Sequence, residues 1–217
     1  MSHTGGNSPE ALSSFTKVST SFTSSSQVTH LLDRCQRTLS RSNRAVCVAI
    51  DGHSAAGKST LAYRLVDAFG AALVGGDDFY SVMDEEARAS LSPRGGVELY
   101  YDWMRMRDEA LIPLLDGRPA VYRPSDWETN RLFTRTVTVE PASLVVVEGL
   151  FVARPELTDR ISLAVLVEAD PVIRAVRQQQ RDDDEAWVQR WDEAERYYFS
   201  NIRPPSSFDL CIAGIGR

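Results

Sequence analysis

The sequence predicts an α/β fold built on a five-stranded parallel sheet with helices on both faces. Short apolar segments, typical of buried strands, alternate along the chain with segments of helical periodicity. The apolar segments lie at 45–50, 71–74, 144–147, 162–167 and 208–212. The first of them runs into a glycine-rich turn, and the helical pattern after that turn stops at Gly70. Strands joined by helices in this way pair in parallel through right-handed crossovers.

Composition limits the classes of partner. The chain has 217 residues and a formal net charge of −6, which fits one domain and argues against a general nucleic-acid-binding surface. No apolar run is long enough to span a membrane. Cys35, Cys47 and Cys211 lack the spacing of a metal site or a disulfide framework. We interpret them as buried thiols of a reducing, cytoplasmic compartment.

The first residues differ in composition from the rest of the chain. Positions 1–27 are rich in Ser and Thr and contain few large apolar residues. Such a segment buries too little surface to offset the entropy of ordering it, which predicts a mobile tail. The prediction for 28–217 is a single domain that starts with a helix at 28–43.

The segment Gly-His-Ser-Ala-Ala-Gly-Lys-Ser-Thr at 52–60 has the G-x-x-x-x-G-K-S spacing of a phosphate-binding loop. The glycines let the backbone turn tightly and present N–H groups to phosphate oxygens. The side chain of Lys58 then reaches the β- and γ-phosphates, and the Ser59 hydroxyl ligates Mg²⁺. The predicted nucleotide-binding residues are Gly52, Ser54, Ala55, Ala56, Gly57, Lys58, Ser59 and Thr60. The alternative is a glycine-rich turn that merely starts a helix.

Carboxylates follow two other predicted strands. Asp77 and Asp78 come just after the strand at 71–74, and Glu148 ends the strand at 144–147. The carboxyl ends of parallel strands are where open α/β sheets bind ligands. A carboxylate there can accept a proton from an attacking hydroxyl or hold Mg²⁺. The alternative for each is a cap on a turn or a strand end.

The phosphate-binding motif and the Asp-Asp-Phe-Tyr at 77–80 together resemble the uridine kinase/phosphoribulokinase family of P-loop kinases. The resemblance implies ATP and Mg²⁺ as cofactors and a P-loop kinase fold with an inserted hairpin and a helical lid. It implies that Asp77 is the general base toward a sugar 5′-hydroxyl and that Tyr80 contacts the substrate. The Glu-Gly pair at Glu148 also matches the family pattern.

Two further segments resemble the substrate-binding parts of that family. Tyr-Asp-Trp at 101–103 is similar to the family's F-D-H/W-P, which implies that Asp102 binds ribose hydroxyls. The alternative is an exposed Asp in the first turn of a helix predicted at 98–115. The family's Y-D-F-x-x-H-x-R is matched at Asp126 and Trp127, whereas its Tyr and His are replaced. The replacing residues are Ser125 and Asn130.

The arginines of the predicted lid lie on one helical face. Arg174, Arg177 and Arg181 recur at i, i+3 and i+7 and resemble the family's R-x-x-R-x-x-x-R-D. The resemblance implies that Arg177 and Arg181 close over the phosphates, with Arg174 on the substrate side. The alternative is a solvated basic stripe. The lid is predicted near 174–190 and the inserted hairpin near 119–140, where 120–122 pairs with 136–139.

These observations predict a kinase that transfers the γ-phosphoryl group of ATP to a hydroxyl of a small molecule, with uridine or cytidine as the expected acceptor. The predicted catalytic residues are Lys58, Asp77, Arg177 and Arg181, and the predicted metal-side residues are Ser59, Asp77 and Glu148. Three alternatives stay open. They are a kinase of another small alcohol (pantothenate, a sugar phosphate or glycerate), a nucleoside monophosphate kinase, and an ATP-binding regulator that is not a kinase. Neither a nucleic-acid nor a membrane partner is expected, and the oligomeric state is undetermined.

Overall fold

The structure is a computed structural model that describes residues 24–179 and 185–214. Most of the predicted tail, Arg181 and the last residues, 215–217, lie outside the described residues. The strands in the described ranges are β1 (Val46–Asp51), β2 (Ala72–Gly75), β3 (Ala120–Tyr122), β4 (Ser125–Asp126), β5 (Arg131–Leu132), β6 (Val137–Val139), β7 (Leu144–Glu148), β8 (Leu163–Glu168) and β9 (Leu210–Ala213). The α-helices there are α1 (Ser24–Ser40), α2 (Lys58–Phe69), α3 (Glu85–Ala89), α4 (Pro93–Leu99), α5 (Trp103–Met106), α6 (Ile112–Leu115), α7 (Pro171–Gln179) and α8 (Glu185–Tyr197).

The main sheet has five parallel strands in the order β2-β7-β1-β8-β9. Glu148 of β7 is in register with Ile50 of β1 on one side and with Gly75 of β2 on the other. The carboxyl ends of these three strands therefore meet at one edge. The predicted fold class is confirmed, and all six residues of β1 are buried, as expected of a central parallel strand.

Alternating side chains of β1 point into two separate cores. Val48 and Ile50 pack with residues of α1 and α2, whereas Cys47 and Ala49 belong to the core formed with α4, α5, α6 and α8. This alternation is the period of a strand, and it places helices on both faces of the sheet. Cys35 and Cys47 are buried as predicted, but the prediction for Cys211 is wrong, because β9 is an edge strand and exposes it.

The predicted hairpin forms, with β3 and β6 paired antiparallel from Ala120 opposite Val139 to Tyr122 opposite Val137. A smaller antiparallel pair, β4 with β5, lies inside it. α1 begins at Ser24, four positions before the predicted helix start. None of the helices that the structure describes has both the length and the apolarity to cross a membrane.

The prediction of one helix over 98–115 is wrong. α4 begins earlier, at Pro93, where the Ser92 side chain accepts a hydrogen bond from Gly95 N. The chain then leaves the helix because Tyr101 forms an antiparallel bridge with Tyr80. α5 begins only after this bridge. A tertiary contact thus interrupts a pattern that is locally helical.

Candidate functional site

The phosphate-binding loop has the backbone that its sequence predicts. Gly52, Ala55 and Gly57 have positive φ angles of 148°, 60° and 102°. A Cβ on Gly52 would lie 2.3 Å from Val167 O, so only glycine fits between β1 and β8. Gly57 caps α2 without a side-chain hydrogen bond, which leaves the first N–H groups of the helix to a ligand.

Lys58 lies across this loop. Its Nζ donates hydrogen bonds to Gly52 O at 2.9 Å and to His53 O at 3.0 Å. The ammonium group is therefore held at the mouth of the loop, where the N–H groups and the helix dipole already favour an anion.

Glu148 connects the loop to the neighbouring strands. Its carboxylate is hydrogen-bonded to Ser59 and interacts electrostatically with Lys58, Asp77 and Asp78. Burial raises the pKa of Glu148, and the two aspartates add to the rise, while Lys58 and Ser59 oppose it. The structure thus gathers at one edge of the sheet the acids and the cation that the sequence placed after three separate strands.

This buried carboxylate leads to a stability prediction. A folded-state pKa above the unfolded value means that ionised Glu148 opposes folding, so its cost appears as pH rises through the folded pKa. Glu148→Gln should therefore raise the melting temperature near pH 7 by ~2–4 °C, the shift that about 1 kcal/mol produces in a domain of this size. The gain should vanish below the unfolded pKa of a glutamate. Thermal unfolding of both proteins from pH 4 to 8 measures this, and a lower melting temperature of the variant at pH 7 would contradict it.

The two aspartates after β2 face different surroundings. Asp77 is exposed and accepts a hydrogen bond from the Tyr101 hydroxyl at 3.0 Å. Asp78 is half-buried and accepts one from the Tyr122 hydroxyl, on β3, at 2.9 Å. Burial raises the pKa of Asp78, and neighbouring Asp77 raises it further. Asp77 is therefore open to an incoming group, whereas Asp78 ties the sheet edge to the hairpin.

A cavity of about 760 Å³ is lined by neighbours of Asp77 but not by Asp77 itself. Tyr101, whose hydroxyl contacts Asp77, lines it. The lining residues are Tyr80, Ser81, Val82, Met83, Glu98, Leu99, Tyr101, Asp102, Trp103, Met104, Arg105, Arg123, Arg131 and Leu132. Its volume falls within the range of small-molecule binding sites.

Of the predicted substrate residues, Tyr80 and Asp102 line the cavity, and Asp126 and Trp127 do not. Asp102 also caps α5, because it accepts a hydrogen bond from Arg105 N at 3.0 Å. The Asp126 carboxylate accepts hydrogen bonds from within its own turn, and Trp127 is 62 % exposed. Asp126 and Trp127, at the hairpin tip, therefore lie outside the lining of the cavity, whereas Arg131 and Leu132 of β5 belong to it.

The two positions that depart from the family pattern hold this tip to the segment at 80–83. The Ser125 hydroxyl donates to Tyr80 O at 2.5 Å. The Asn130 side chain bonds both Met83 O and Met83 N. In this chain the two side chains therefore stabilise the wall of the cavity.

The arginines of α7 face the phosphate-binding loop. Arg177 Nη1 donates to Ala55 O at 3.1 Å, and Arg174 Nη1 lies 3.9 Å from a carboxylate oxygen of Glu195 on α8. The apolar side chains of Val172, Ile173 and Val176 are instead exposed. α7 thus lies beside the loop with its basic face inward.

Sequence reasoning missed two buried acids at this site. Asp51 ends β1 and accepts hydrogen bonds from Gly52 N, Phe151 N, Ala153 N and the Tyr198 hydroxyl. Glu195 is 1 % exposed and contacts the loop from α8. A signal for Glu195 existed, since it falls on the helical stripe of buried residues Trp191, Ala194 and Tyr198. A charge on such a stripe needs a specific partner.

Comparison with known proteins shows which proteins this chain resembles. The chain matches no family model. It is 28% identical over 155 residues to a protein named uridine kinase from Lactobacillus johnsonii, covering 67% of this chain and 71% of the relative. With the uridine kinase of Deinococcus deserti the identity is 29% over 147 residues, 65% of this chain and 70% of the relative.

Solved structures share the fold at low sequence identity. A structure described as a possible uridine kinase from Bacillus stearothermophilus has a TM-score of 0.66 at 19% identity, over 87% of this chain and 98% of that one. A candidate fructose transport system kinase from Silicibacter sp. TM1040 gives 0.68 at 21%, over 85% and 98%. The fold is therefore that of the P-loop kinases. The curated relatives and the solved structures together support the resemblance to the uridine kinase/phosphoribulokinase family that the sequence motifs predict.

Proposed function

We propose that the protein is an ATP- and Mg²⁺-dependent kinase that transfers the γ-phosphoryl group to a hydroxyl of a small molecule. One observation supports this most strongly. Glu148 interacts at the same time with Lys58 and Ser59 of the phosphate-binding loop and with Asp77, which accepts a hydrogen bond from the cavity-lining Tyr101. A site for the triphosphate, an acid for the metal and a base for the acceptor thus adjoin one another.

Each residue has a role in this reaction. Lys58 and the N–H groups of the loop bind the triphosphate. Bound Mg²⁺ would neutralise charge on the phosphates, with the Ser59 hydroxyl and Glu148 as its protein ligands. Asp77 takes the proton of the acceptor hydroxyl while the hydroxyl oxygen forms a bond to the γ-phosphorus. The bond between the γ-phosphorus and the bridging oxygen breaks, and ADP leaves with that oxygen. Arg177, and Arg181 beyond the described residues, add positive charge near the phosphates.

The protein ligands present fit magnesium. Within residues 24–179 and 185–214, no group of three or more His, Cys, Asp and Glu side chains is arranged to hold a metal ion. Magnesium in kinases is usually held by one or two carboxylates together with phosphate oxygens and water. A serine hydroxyl hydrogen-bonded to a single glutamate matches that requirement.

The first candidate acceptor is the 5′-hydroxyl of uridine or cytidine, as the family resemblance implies, and the curated relatives are named uridine kinase. A second candidate is an alcohol that carries a carboxylate or phosphate group. The observation in its favour is that Arg105, Arg123 and Arg131 all line the cavity. Arg105 and Arg123 donate to backbone carbonyls, but the Arg131 guanidinium has no partner among the described residues.

A panel of acceptors tests the proposal. We expect ADP release from MgATP with uridine and cytidine, or else with one of pantothenate, glycerate and a sugar phosphate, and little with UMP or CMP, whose phosphate Asp77 would repel. Product analysis by mass spectrometry must show the acceptor with one added phosphoryl group. If MgATP binds but no acceptor is phosphorylated, the kinase proposal fails, and an ATP-binding regulator that is not a kinase becomes the better-supported function.

A further inference from the structure

Glu195 is a buried acid that reaches the phosphate-binding loop from outside it. Its carboxylate accepts a hydrogen bond from Ser54 N at 3.1 Å and lies 2.8 Å from His53 Nδ1. The Ser54 hydroxyl also donates to it. These contacts join α8 to the loop across more than 140 residues of sequence. An isolated carboxylate is expensive to bury, so these donors determine where the charge can be.

The electrostatic surroundings keep this acid ionised. Burial raises the pKa of Glu195, but the hydrogen bonds from His53 and Ser54 and the charge of Lys58 outweigh it and hold that pKa below its ordinary value. The negative charge therefore faces the loop permanently at neutral pH. It attracts the polar groups of His53 and Ser54, which lie between Gly52 and Gly57 in the loop.

The same carboxylate also meets the arginine face of α7. Arg174 Nη1 lies 3.9 Å from its Oε2, and Arg177, one turn further along, donates to Ala55 O. Ala55 follows Ser54 directly and has a positive φ of 60°. Two consecutive loop residues, 54 and 55, are thus held from one side by α8 and α7. Since a non-glycine residue rarely adopts such a φ, the surroundings must stabilise it.

We propose that Glu195 is a positioning residue that holds the loop in its phosphate-binding conformation and couples it to α7. It does not touch the phosphates: by fixing Ser54 N it determines how the remaining loop N–H groups are presented. This inference rests on the proposed function, because it assumes that the loop binds a triphosphate. It predicts that Glu195 contributes to ATP affinity although it lies on α8, outside the loop itself.

Glu195→Gln is the test, with MgATP as the ligand and isothermal titration calorimetry as the measurement. The amide keeps the size of the side chain but loses the charge and part of the acceptor capacity. We expect the Kd for MgATP to rise roughly tenfold or more, the range for losing a hydrogen bond to a charged group. The matched control is Glu193→Gln on the same helix, whose carboxylate contacts Gln189 instead of the loop. The control should bind MgATP like wild type.

Kinetics separate positioning from a general loss of structure. With the acceptor found by the panel, Glu195→Gln should raise the KM for MgATP while the KM for the acceptor stays within about twofold, because the cavity lies on other elements. A parallel rise of both constants would overturn the inference. If Glu195→Gln does not fold, as judged by circular dichroism, Ser54→Ala decides: it removes one donor to Glu195 and should weaken MgATP binding by a few-fold.

The possible failures are distinguishable. If wild type does not bind MgATP, the proposed function is wrong. If wild type binds and Glu195→Gln binds equally well, only the positioning role is wrong. If Ser54→Ala in the fallback case binds like wild type, the positioning role is likewise overturned.

Discussion

Asp77→Asn should lower kcat by roughly 10²–10⁴-fold, the usual contribution of a general base. The amide cannot accept the proton of the acceptor hydroxyl, but it keeps the size of the side chain and can still accept the hydrogen bond from Tyr101. Because Asp77 is exposed, the fold and the Kd for MgATP should change little. A coupled assay of ADP release with the acceptor from the panel measures kcat. Turnover close to that of wild type would remove Asp77 from the mechanism.

Asp78→Asn is the matched comparison, since it makes the same change one residue along. Asp78 is half-buried and held by Tyr122, so its replacement should disturb the hairpin contact more than the chemistry. We expect a loss of kcat under tenfold, in line with one weakened hydrogen bond. If Asp78→Asn proves the more damaging change, the base is Asp78, and the match to the family's first Asp is misleading.

The parts of the site that could be predicted from the sequence are those fixed by local patterns. The motif around Lys58 carries its own geometry, because glycine spacing decides where the backbone can turn. Glu148 and Asp77 are both predicted at the ligand-binding edge because buried strands end just before them, and the parallel register brings those strand ends together. Topology alone thus brings together acids that lie 71 positions apart in the sequence.

The parts that could not be predicted depend on contacts between distant segments. Nothing local marks Tyr101 as the end of a helix, since its bridge to Tyr80 exists only in the folded chain. Asp126 was assigned to the substrate by a motif match, yet its carboxylate accepts hydrogen bonds from its own turn. A contact between Asp126 and the acceptor stays a prediction of the motif match.

The arginine face of α7 illustrates a further limit. The spacing of its arginines predicted one functional face, and Arg174 and Arg177 do face the loop. Their contacts, however, are with Glu195 and a backbone carbonyl of the loop. The sequence gives the face of a helix correctly because helical periodicity is local, but it cannot show which partner occupies that face.

Lys58→Met should lower kcat by roughly 10²–10³-fold, because the positive charge at the phosphates is missing, and it should also weaken MgATP binding. The ammonium of Lys58 donates to Gly52 O and His53 O, so methionine also leaves two loop carbonyls without a donor. Titration of MgATP and the coupled assay measure the two losses separately. The control is Arg64→Met, which removes an exposed cation from the same helix and should leave both values unchanged.

Lys58→Arg tests why this position holds a lysine in a chain that otherwise uses arginine almost exclusively. Arginine keeps the positive charge, so a role that is only electrostatic predicts near-normal turnover. The geometry predicts otherwise, because the compact ammonium fits between two carbonyls about 3 Å away and the broad, planar guanidinium does not. We expect Lys58→Arg to lose most of the activity that Lys58→Met loses. Turnover within about threefold of wild type would instead mean that charge alone suffices at this position.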